Sequence, residues 1–178
     1  MMDTLLQKII ENFGSDEKPK THIISKDDVV NWMRSDDIEI LGALYSFLMK
    51  PQCAVRIIPA LTLSDYAGFV THYFERCFHE DPDGDWSDSR YAAARGLISW
   101  FGMLWKDDQV DRKELVKLKG WLAGVYKDAE DPVRRCIVDG ALEHLFEDHE
   151  IADFFTDWKN DSELAIAYAE AAQWSAAT

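Results

Sequence analysis

The sequence DDIEILGALYSFLMKP (residues 36–51) decides the fold class. Its apolar residues follow one another at intervals of three and four positions, which places them on adjoining faces of one helix. The two aspartates at its start suit the positive end of a helix dipole, and Pro51 ends the helix because proline lacks a backbone donor. We therefore predict a central helix here.

Most of the remaining chain has the same spacing. Apolar positions from Leu5 to Phe13 predict a first helix that ends at Gly14. Ser25 and Asp28 form a variant of the capping box and predict the start of a second helix. Further helices are expected over residues 64–78, 89–106, 110–127, 132–146, 150–158 and 162–174. The chain is thus expected to be all-α, a single domain over residues 1–178 with about eight or nine helices stacked as antiparallel hairpins.

Two segments lack helical spacing. Residues 14–24 are polar, contain Pro19 and two lysines, and predict a mobile connection. Residues 52–63 (QCAVRIIPALTL) have a β-like composition, but Pro59 would interrupt a ladder and no second strand is available for pairing. We expect a turn or a short helix there.

An acidic loop, residues 81–88 (DPDGDWSD), follows a long helix whose start Ser64 and Asp65 are expected to cap. Its aspartates at positions 81, 83 and 85 have the spacing with which calcium loops begin. Trp86 stands where that pattern needs glycine, and Ala92 stands where it needs glutamate. We therefore expect a solvated loop whose last acids cap the next helix.

Residues 131–142 (DPVRRCIVDGAL) resemble the second-helix signature of HEAT-type helical repeats. Asp131 would cap the helix, Pro132 would take its first position, and four apolar residues would face inward, namely Val133, Ile137, Ala141 and Leu142. Residues 88–97 repeat the pattern faintly, with Asp88 lying 43 residues before Asp131. The resemblance implies a HEAT-like stack of helical hairpins.

Charge and composition exclude several classes of protein. The chain has 33 acidic and 19 basic residues, a net charge of −14, which repels phosphate backbones and anionic lipids. We expect no binding to nucleic acid or membranes. There is no apolar run of about 18 residues, and the N-terminus lacks a basic segment followed by an apolar one. The three cysteines lack the CxxC spacing and are expected to be packing residues in a reducing compartment, which makes the chain cytoplasmic.

The sequence has no catalytic signature and implies no cofactor. It lacks the HExxH zinc spacing, a glycine-rich phosphate loop, a GxSxG elbow and a CxxC pair. On one helix, His72 and His79 would lie about 10 Å apart, too far to share a zinc ion, and Cys77 would point elsewhere. We expect structural histidines rather than a metal site.

Negative charge is concentrated in the last third of the chain. Residues 128–178 have a net charge of −10, and residues 1–127 have −4. Such a region is either a solubilising face or a docking surface that attracts a basic partner. On the second interpretation, the contact residues are Asp81, Asp83, Asp85, Trp86 and Asp88 of the acidic loop, with Glu143, Glu147, Glu150 and Asp157 as a second patch. Trp86 is expected to be at least half exposed and to act as an anchor.

In overall character the chain resembles the cognate immunity proteins that bacteria encode beside their toxins. The resemblance implies that the chain binds one basic toxin domain, often a nuclease, and neutralises it stoichiometrically. In one alternative, the chain is a helical-repeat scaffold or adaptor that binds a peptide or helix. In a second, it is a metal-dependent enzyme built on His72, His79 and the acidic loop.

Overall fold

The computed structural model describes residues 4–15 and 18–175, and their fold is all-α, as the spacing predicts. The helices are α1 (Thr4–Phe13), α2 (Lys26–Trp32), α3 (Ile38–Leu48), α4 (Pro51–Ala54), α5 (Leu63–Glu80), α6 (Arg90–Lys106), α7 (Arg112–Asp128), α8 (Asp131–Ile137), α9 (Glu143–Leu145), α10 (His149–Phe154) and α11 (Leu164–Ser175). Two expected helices are divided. A π-helical segment, Val138–Leu142, separates α8 from α9, and a 3-10 segment, Thr156–Asn160, follows α10.

Among the described residues, four strands of two residues accompany the helices. β1 (Gly14–Ser15) pairs antiparallel with β2 (Lys18–Pro19), and β3 (Ile24–Ser25) pairs parallel with β4 (Ile57–Ile58). The expectation that residues 52–63 have no strand to pair with is therefore wrong, because Ile24 pairs with Ile57. A two-residue strand is too short to produce the alternation by which strands are found in a sequence.

The described part of the expected mobile connection, residues 14–24, contributes to strands at both ends. Asp16 and Glu17, which belong to the same predicted segment, lie outside the described residues. Residues 51–54 form the short helix α4, which agrees with part of the expectation for the segment after Pro51.

The observed helix caps agree only partly with those predicted from the sequence. Ser25 caps α2 as expected, but its Oγ accepts a hydrogen bond from the Asp27 N–H at 3.2 Å, and the expected capping box with Asp28 is not formed. At α5, the cap is Thr62 rather than Ser64. The Thr62 hydroxyl accepts from the Asp65 N–H at 3.1 Å, and the Asp65 carboxylate accepts from the Thr62 N–H at 2.7 Å, a reciprocal capping box.

The two aspartates of the HEAT-type signature do not cap helices. Ser89, rather than Asp88 or another acid of the loop, is the N-cap of α6. Glu130 is the N-cap position of α8 and makes no side-chain capping bond, so Asp131 lies inside the first turn. The four apolar residues expected to face inward are buried: Val133, Ile137, Ala141 and Leu142.

The chain divides into two compact units, and its expected organisation as a single domain stays a prediction. Unit 1 comprises residues 1–77 and 81–88, and unit 2 comprises residues 78–80 and 89–178. In unit 1, α3 is the central helix that its sequence predicts, with Ile40, Leu41 and Leu44 at most 1 % exposed. The Phe13 ring of α1 stacks on the Phe47 ring of α3 at 4.9 Å.

Unit 2 has a core of its own, built largely from aromatic side chains. Phe101, Phe146 and Phe155 are fully buried, and the rings of Phe146 and Phe155 lie 5.6 Å apart. The π-helical segment packs closely on α6, since a Cβ at Gly140 would lie 3.0 Å from the Cβ of Ala94. A Cβ at this position would require its neighbours to shift by a few tenths of an ångström.

A buried arginine fixes the end of α1 in unit 1. The Arg56 guanidinium donates to the carbonyl oxygens of Asn12 at 2.6 Å, Phe13 at 3.1 Å and His22 at 2.9 Å. Asn12 and Phe13 are the last residues of α1, where carbonyl groups lack partners within the helix. Arg56 therefore satisfies a helix end and joins it to the segment before β3.

We expect Arg56→Ala to lower the free energy of unfolding by about 3 kcal/mol, because three backbone acceptors lose a charged donor in a buried position. Denaturant unfolding followed by circular dichroism measures the change. The matched control is Arg95→Ala, since Arg95 is exposed and its side chain bonds to no described residue. Equal effects of the two substitutions would show that the Arg56 bonds contribute nothing.

Candidate functional site

The acidic loop leaves α5 at Asp81 and reaches α6 at Ser89. Asp81 has a left-handed backbone with φ 47°, and its N–H donates to the Cys77 carbonyl at 3.0 Å. The chain therefore turns sharply at the end of α5. All of the acidic loop belongs to unit 1.

One carboxylate, that of Glu39 on α3, holds the centre of the acidic loop. It accepts the backbone N–H groups of Asp85 at 2.9 Å, Trp86 at 3.0 Å and Ser87 at 3.0 Å. It also accepts the Ser87 hydroxyl. Burial raises the pKa of Glu39, but the hydrogen bonds from Ser87, Trp86 and Asp85 outweigh it and bring the pKa below its ordinary value.

Two glycines allow the acidic loop to approach α3 this closely. A Cβ at Gly42 would lie 2.3 Å from the Trp86 carbonyl oxygen, and a Cβ at Gly84 would lie 1.9 Å from Oε1 of Glu39. Neither distance leaves room for a side chain. The Trp86 ring packs at 5.7 Å from the Phe47 ring, so the acidic loop also contacts the apolar core of unit 1.

The end of the acidic loop is bound to a buried tyrosine. The Tyr73 hydroxyl donates to the Asp88 carboxylate at 3.1 Å and accepts the Asp88 N–H at 2.8 Å. Tyr73 is fully buried, and this burial raises the pKa of its phenol. The neutral hydroxyl can therefore both donate and accept.

The structure separates the five contact residues predicted in this loop. Asp81, Asp83 and Asp85 are exposed, and the carboxylates of Asp83 and Asp85 form no bond to a described residue. The expectation that Trp86 is at least half exposed is wrong, because the Phe47 contact and the bonded loop backbone cover much of it. Asp88 is likewise half-buried and bonded to Tyr73.

The second predicted patch lies in unit 2, and its residues also differ in exposure and bonding. Glu147 and Glu150 are exposed and line one open depression. Asp157 is 61 % exposed but accepts a hydrogen bond from Lys119 Nζ at 2.8 Å. Glu143 is only 9 % exposed, and α9 ends at Leu145, so Glu143 and Glu147 do not lie on one helix.

A groove in unit 1 lies between α2 and α5 and has a volume of about 390 Å³. Its lining residues are Val30, Met33, Arg34, Ser64, Asp65, Gly68, Phe69 and His72. Met33 and Phe69 are buried. Arg34 and His72 are exposed, and their side chains bond to no described residue.

Within residues 4–15 and 18–175, no group of three histidines, cysteines or acids is placed to hold a metal ion. Cys53, Cys77 and Cys136 are free thiols in buried positions, where they pack as expected. Over the same described residues, no helix combines the length and the hydropathy needed to cross a membrane.

Comparison of the chain with known proteins identifies no relative. No family model, curated protein or solved structure matches the chain. The resemblances to HEAT-type repeats and to immunity proteins therefore stay predictions.

Sequence reasoning missed Glu39, the residue that organises the acidic loop. Its signal is a single acid on a helix that is otherwise apolar, followed by Gly42 three residues later. A glycine inside such a helix marks a place where another backbone comes close. The sequence does not show that the approaching backbone is the loop some 45 residues further on.

We expect Glu39→Gln to lower the free energy of unfolding by about 2 kcal/mol at pH 7. The carboxylate accepts the hydrogen bonds of the loop with two oxygens, whereas the amide has only one acceptor oxygen. Amide hydrogen exchange at residues 85–87 should become faster. Glu130→Gln is the control, since Glu130 is exposed and makes no capping bond. Unchanged exchange at residues 85–87 would contradict the role of Glu39.

The stabilisation by Glu39 should depend on pH in a defined direction. Since the pKa of Glu39 is lower in the folded chain than its ordinary value of 4.5, the stabilisation is complete above about pH 4.5 and is lost as pH falls through the folded pKa. The difference in unfolding free energy between the native chain and Glu39→Gln should shrink below pH 4.5. Chemical denaturation at several pH values measures it, and a constant difference would contradict the assignment.

Proposed function

We propose that this chain is a non-enzymatic protein-binding protein whose acidic loop docks a basic protein partner. The observation that carries the proposal is the bonding of the loop to Glu39. The backbone donors of residues 85–87 are taken up internally, while the carboxylates of Asp83 and Asp85 stay exposed and without partners among the described residues. The loop is thus a negatively charged surface of fixed shape.

A fixed loop favours tight binding. A loop that is already ordered loses little conformational freedom when a partner docks. Asp81, Asp83 and Asp85 lie in one short turn of chain, and their negative potential attracts a basic surface and raises its association rate. The same charge repels nucleic acid, which supports a protein as the partner.

Unit 2 supports the same class of partner by itself. Residues 128–178 have a net charge of −10, and Glu147 and Glu150 are exposed around one open depression. Considered separately, each unit therefore presents exposed carboxylates to its surroundings.

Within this class, we place the chain among immunity proteins that neutralise a basic bacterial toxin domain in the cytoplasm. The support is the resemblance in size, acidity and helical content, together with three free thiols that suit a reducing compartment. The carboxylates would pair with the lysines and arginines by which a nuclease holds phosphate groups. Asp81, Asp83 and Asp85 would make these contacts, whereas Trp86 would support the loop from beneath.

The groove between α2 and α5 favours a second candidate, a scaffold or adaptor that binds a peptide. Met33 and Phe69 offer an apolar floor, and Arg34 offers a cation to a peptide carboxylate. Binding in this groove would depend weakly on salt, whereas binding to the acidic loop would weaken as salt rises.

The test begins with affinity capture of the tagged chain from its native host, followed by elution in steps of increasing salt. We expect one stoichiometric basic protein that leaves only at high salt, and whose toxicity the chain suppresses. An eluate without such a protein, or a partner whose binding is indifferent to salt, would favour the groove.

Charge reversal tests the acidic loop itself. We expect Asp83→Lys with Asp85→Lys to weaken binding of the captured partner about tenfold or more, because two attractive contacts become repulsive. Asp28→Lys with Asp108→Lys is the matched control, since it makes the same change in net charge at two exposed aspartates outside the loop. Calorimetric titration measures both variants. Equal weakening would show that net charge alone, and no defined loop contact, drives the binding.

A further inference from the structure

The groove between α2 and α5 in unit 1 is fixed at both ends. At one end, Lys26 Nζ lies 2.7 Å from Oδ2 of Asp65, which joins the start of α2 to the first turn of α5. At the other end, Nη1 of Arg76 on α5 donates to the carbonyl oxygen of Asp36, between α2 and α3, at 2.7 Å. These polar contacts set the distance between the two walls. The groove, of about 390 Å³, is therefore already formed in the free chain.

A glycine keeps the floor of this groove open. Gly68 lies inside α5, lines the groove and is exposed, and a Cβ at this position would meet no described atom within 4 Å. Unlike Gly42 and Gly84, it is not required by the close approach of another part of the described chain. Glycine inside a helix is less favourable than other residues. The side chain that would stabilise α5 here would project into the groove.

The surface around Gly68 is apolar. Met33 and Phe69 line the groove and are buried, and Val30 is half-buried. The Phe69 ring stacks on the Tyr73 ring at 6.4 Å, which supports it from the side of the core. An apolar group that lies over Gly68 would therefore contact other apolar groups and leave water.

Two nitrogen-bearing side chains border the apolar floor. Arg34 and His72 are exposed, line the groove and bond to no described residue. The one acid among the lining residues, Asp65, accepts hydrogen bonds from Lys26 and from the N–H and hydroxyl of Thr62. Its charge is balanced by Lys26. The uncompensated charge of the lining is thus the guanidinium of Arg34, which attracts an anion.

This combination selects a small carboxylic acid with an apolar body. A guanidinium group can bind a carboxylate through two parallel hydrogen bonds, and an imidazole N–H can add a further one. Since a cavity of about 150 Å³ holds one benzene ring, a groove of about 390 Å³ has room for one or two rings. The net charge of −14 repels ligands with several phosphate groups, whereas Arg34 offsets a single carboxylate.

The walls of the groove favour a small molecule over a peptide chain. An extended peptide binds by pairing its backbone with a sheet edge, and a helical peptide needs anchor positions along a groove of two turns or more. The backbone groups of α2 and α5 are used within the helices, and α2 has only seven residues. A small acid requires neither backbone partners nor a long groove.

We propose that the groove between α2 and α5 is a binding site for a small apolar monocarboxylate. The carboxylate pairs with the Arg34 guanidinium, with His72 as a further donor, and the apolar body lies over Gly68 against Met33 and Phe69. This site is independent of the proposed function, because it takes a small molecule and uses no residue of the acidic loop. Its occupant also differs from the peptide of the second candidate.

The probes are naphthoic acid and its uncharged amide, naphthamide, each titrated into the full chain and followed through the Met33 methyl signal in nuclear magnetic resonance. We expect the acid to bind with a dissociation constant of about 0.1–1 mM. The amide should bind about tenfold more weakly, because it lacks the charge that Arg34 attracts.

Arg34→Gln tests the charged contact. This variant should bind naphthoic acid about tenfold more weakly and should bind naphthamide within about twofold of the native chain. The matched control is Arg95→Gln, which removes the same charge from an exposed arginine whose side chain bonds to no described residue. It should leave the binding of both probes unchanged. Equal binding of the acid and the amide by the native chain would overturn the site.

Gly68→Leu tests the floor of the groove in a variant that is expected to fold. Leucine favours a helix, so the melting temperature should rise by about 2–4 °C. Its side chain should fill the groove and weaken the binding of both probes about tenfold. Unchanged or tighter binding would show that the ligand does not lie over Gly68, and would overturn the site.

The matched control for the floor is Gly124→Leu. Gly124 is an exposed glycine inside α7 in unit 2, and a Cβ there would likewise meet no described atom within 4 Å. The substitution should raise the melting temperature by a similar amount and leave the binding of both probes unchanged. Equal weakening by Gly68→Leu and Gly124→Leu would also overturn the site.

A third probe separates the small acid from a peptide chain. It is an N-terminally blocked tripeptide that ends in a phenylalanine with a free carboxylate. Weaker binding of this tripeptide than of naphthoic acid supports the proposal, whereas tighter binding would overturn it in favour of the peptide of the second candidate. None of these titrations uses a basic protein partner, so the site and the proposed function can fail separately.

Discussion

The carboxylate of Glu39 determines the path of the acidic loop. The loop has three exposed aspartates among its eight residues, and in isolation their mutual repulsion would favour an extended chain. Glu39 can hold it although both are negative, because what it meets is the N–H side of the backbone, a concave array of donors that favours an anion. The close approach requires Gly42 and Gly84.

The environment of Glu143 in unit 2 is the opposite of that of Glu39 in unit 1. The Glu39 carboxylate accepts four hydrogen bonds, and its pKa lies below the ordinary value. The Glu143 carboxylate accepts none from the described residues, and its pKa is raised. The first carboxylate organises the chain to which it belongs. The same functional group therefore has opposite environments at the two positions.

The sequence predicts the helices well because each carries its own apolar spacing, as in the central helix from Ile38 to Leu48. It fails where the determining contact is distant: β3 and β4 pair across more than 30 residues, and the acidic loop bonds to Glu39 more than 40 residues before it. The exposed aspartates could be found from composition. Trp86 could not be placed, because a tryptophan among aspartates carries no sign of the Phe47 ring that covers it.

The bonding of the acidic loop through its backbone separates two sets of positions. Residues 39, 42 and 84 are each constrained by distances of a few ångströms, whereas the side chains at 83 and 85 take no part in holding the loop. Changes at these two outer positions would alter the surface without altering the path of the chain. Descendants of this sequence could therefore diverge in the chemistry of this surface while folding alike, and glycine at 42 and 84 would mark their common ancestry.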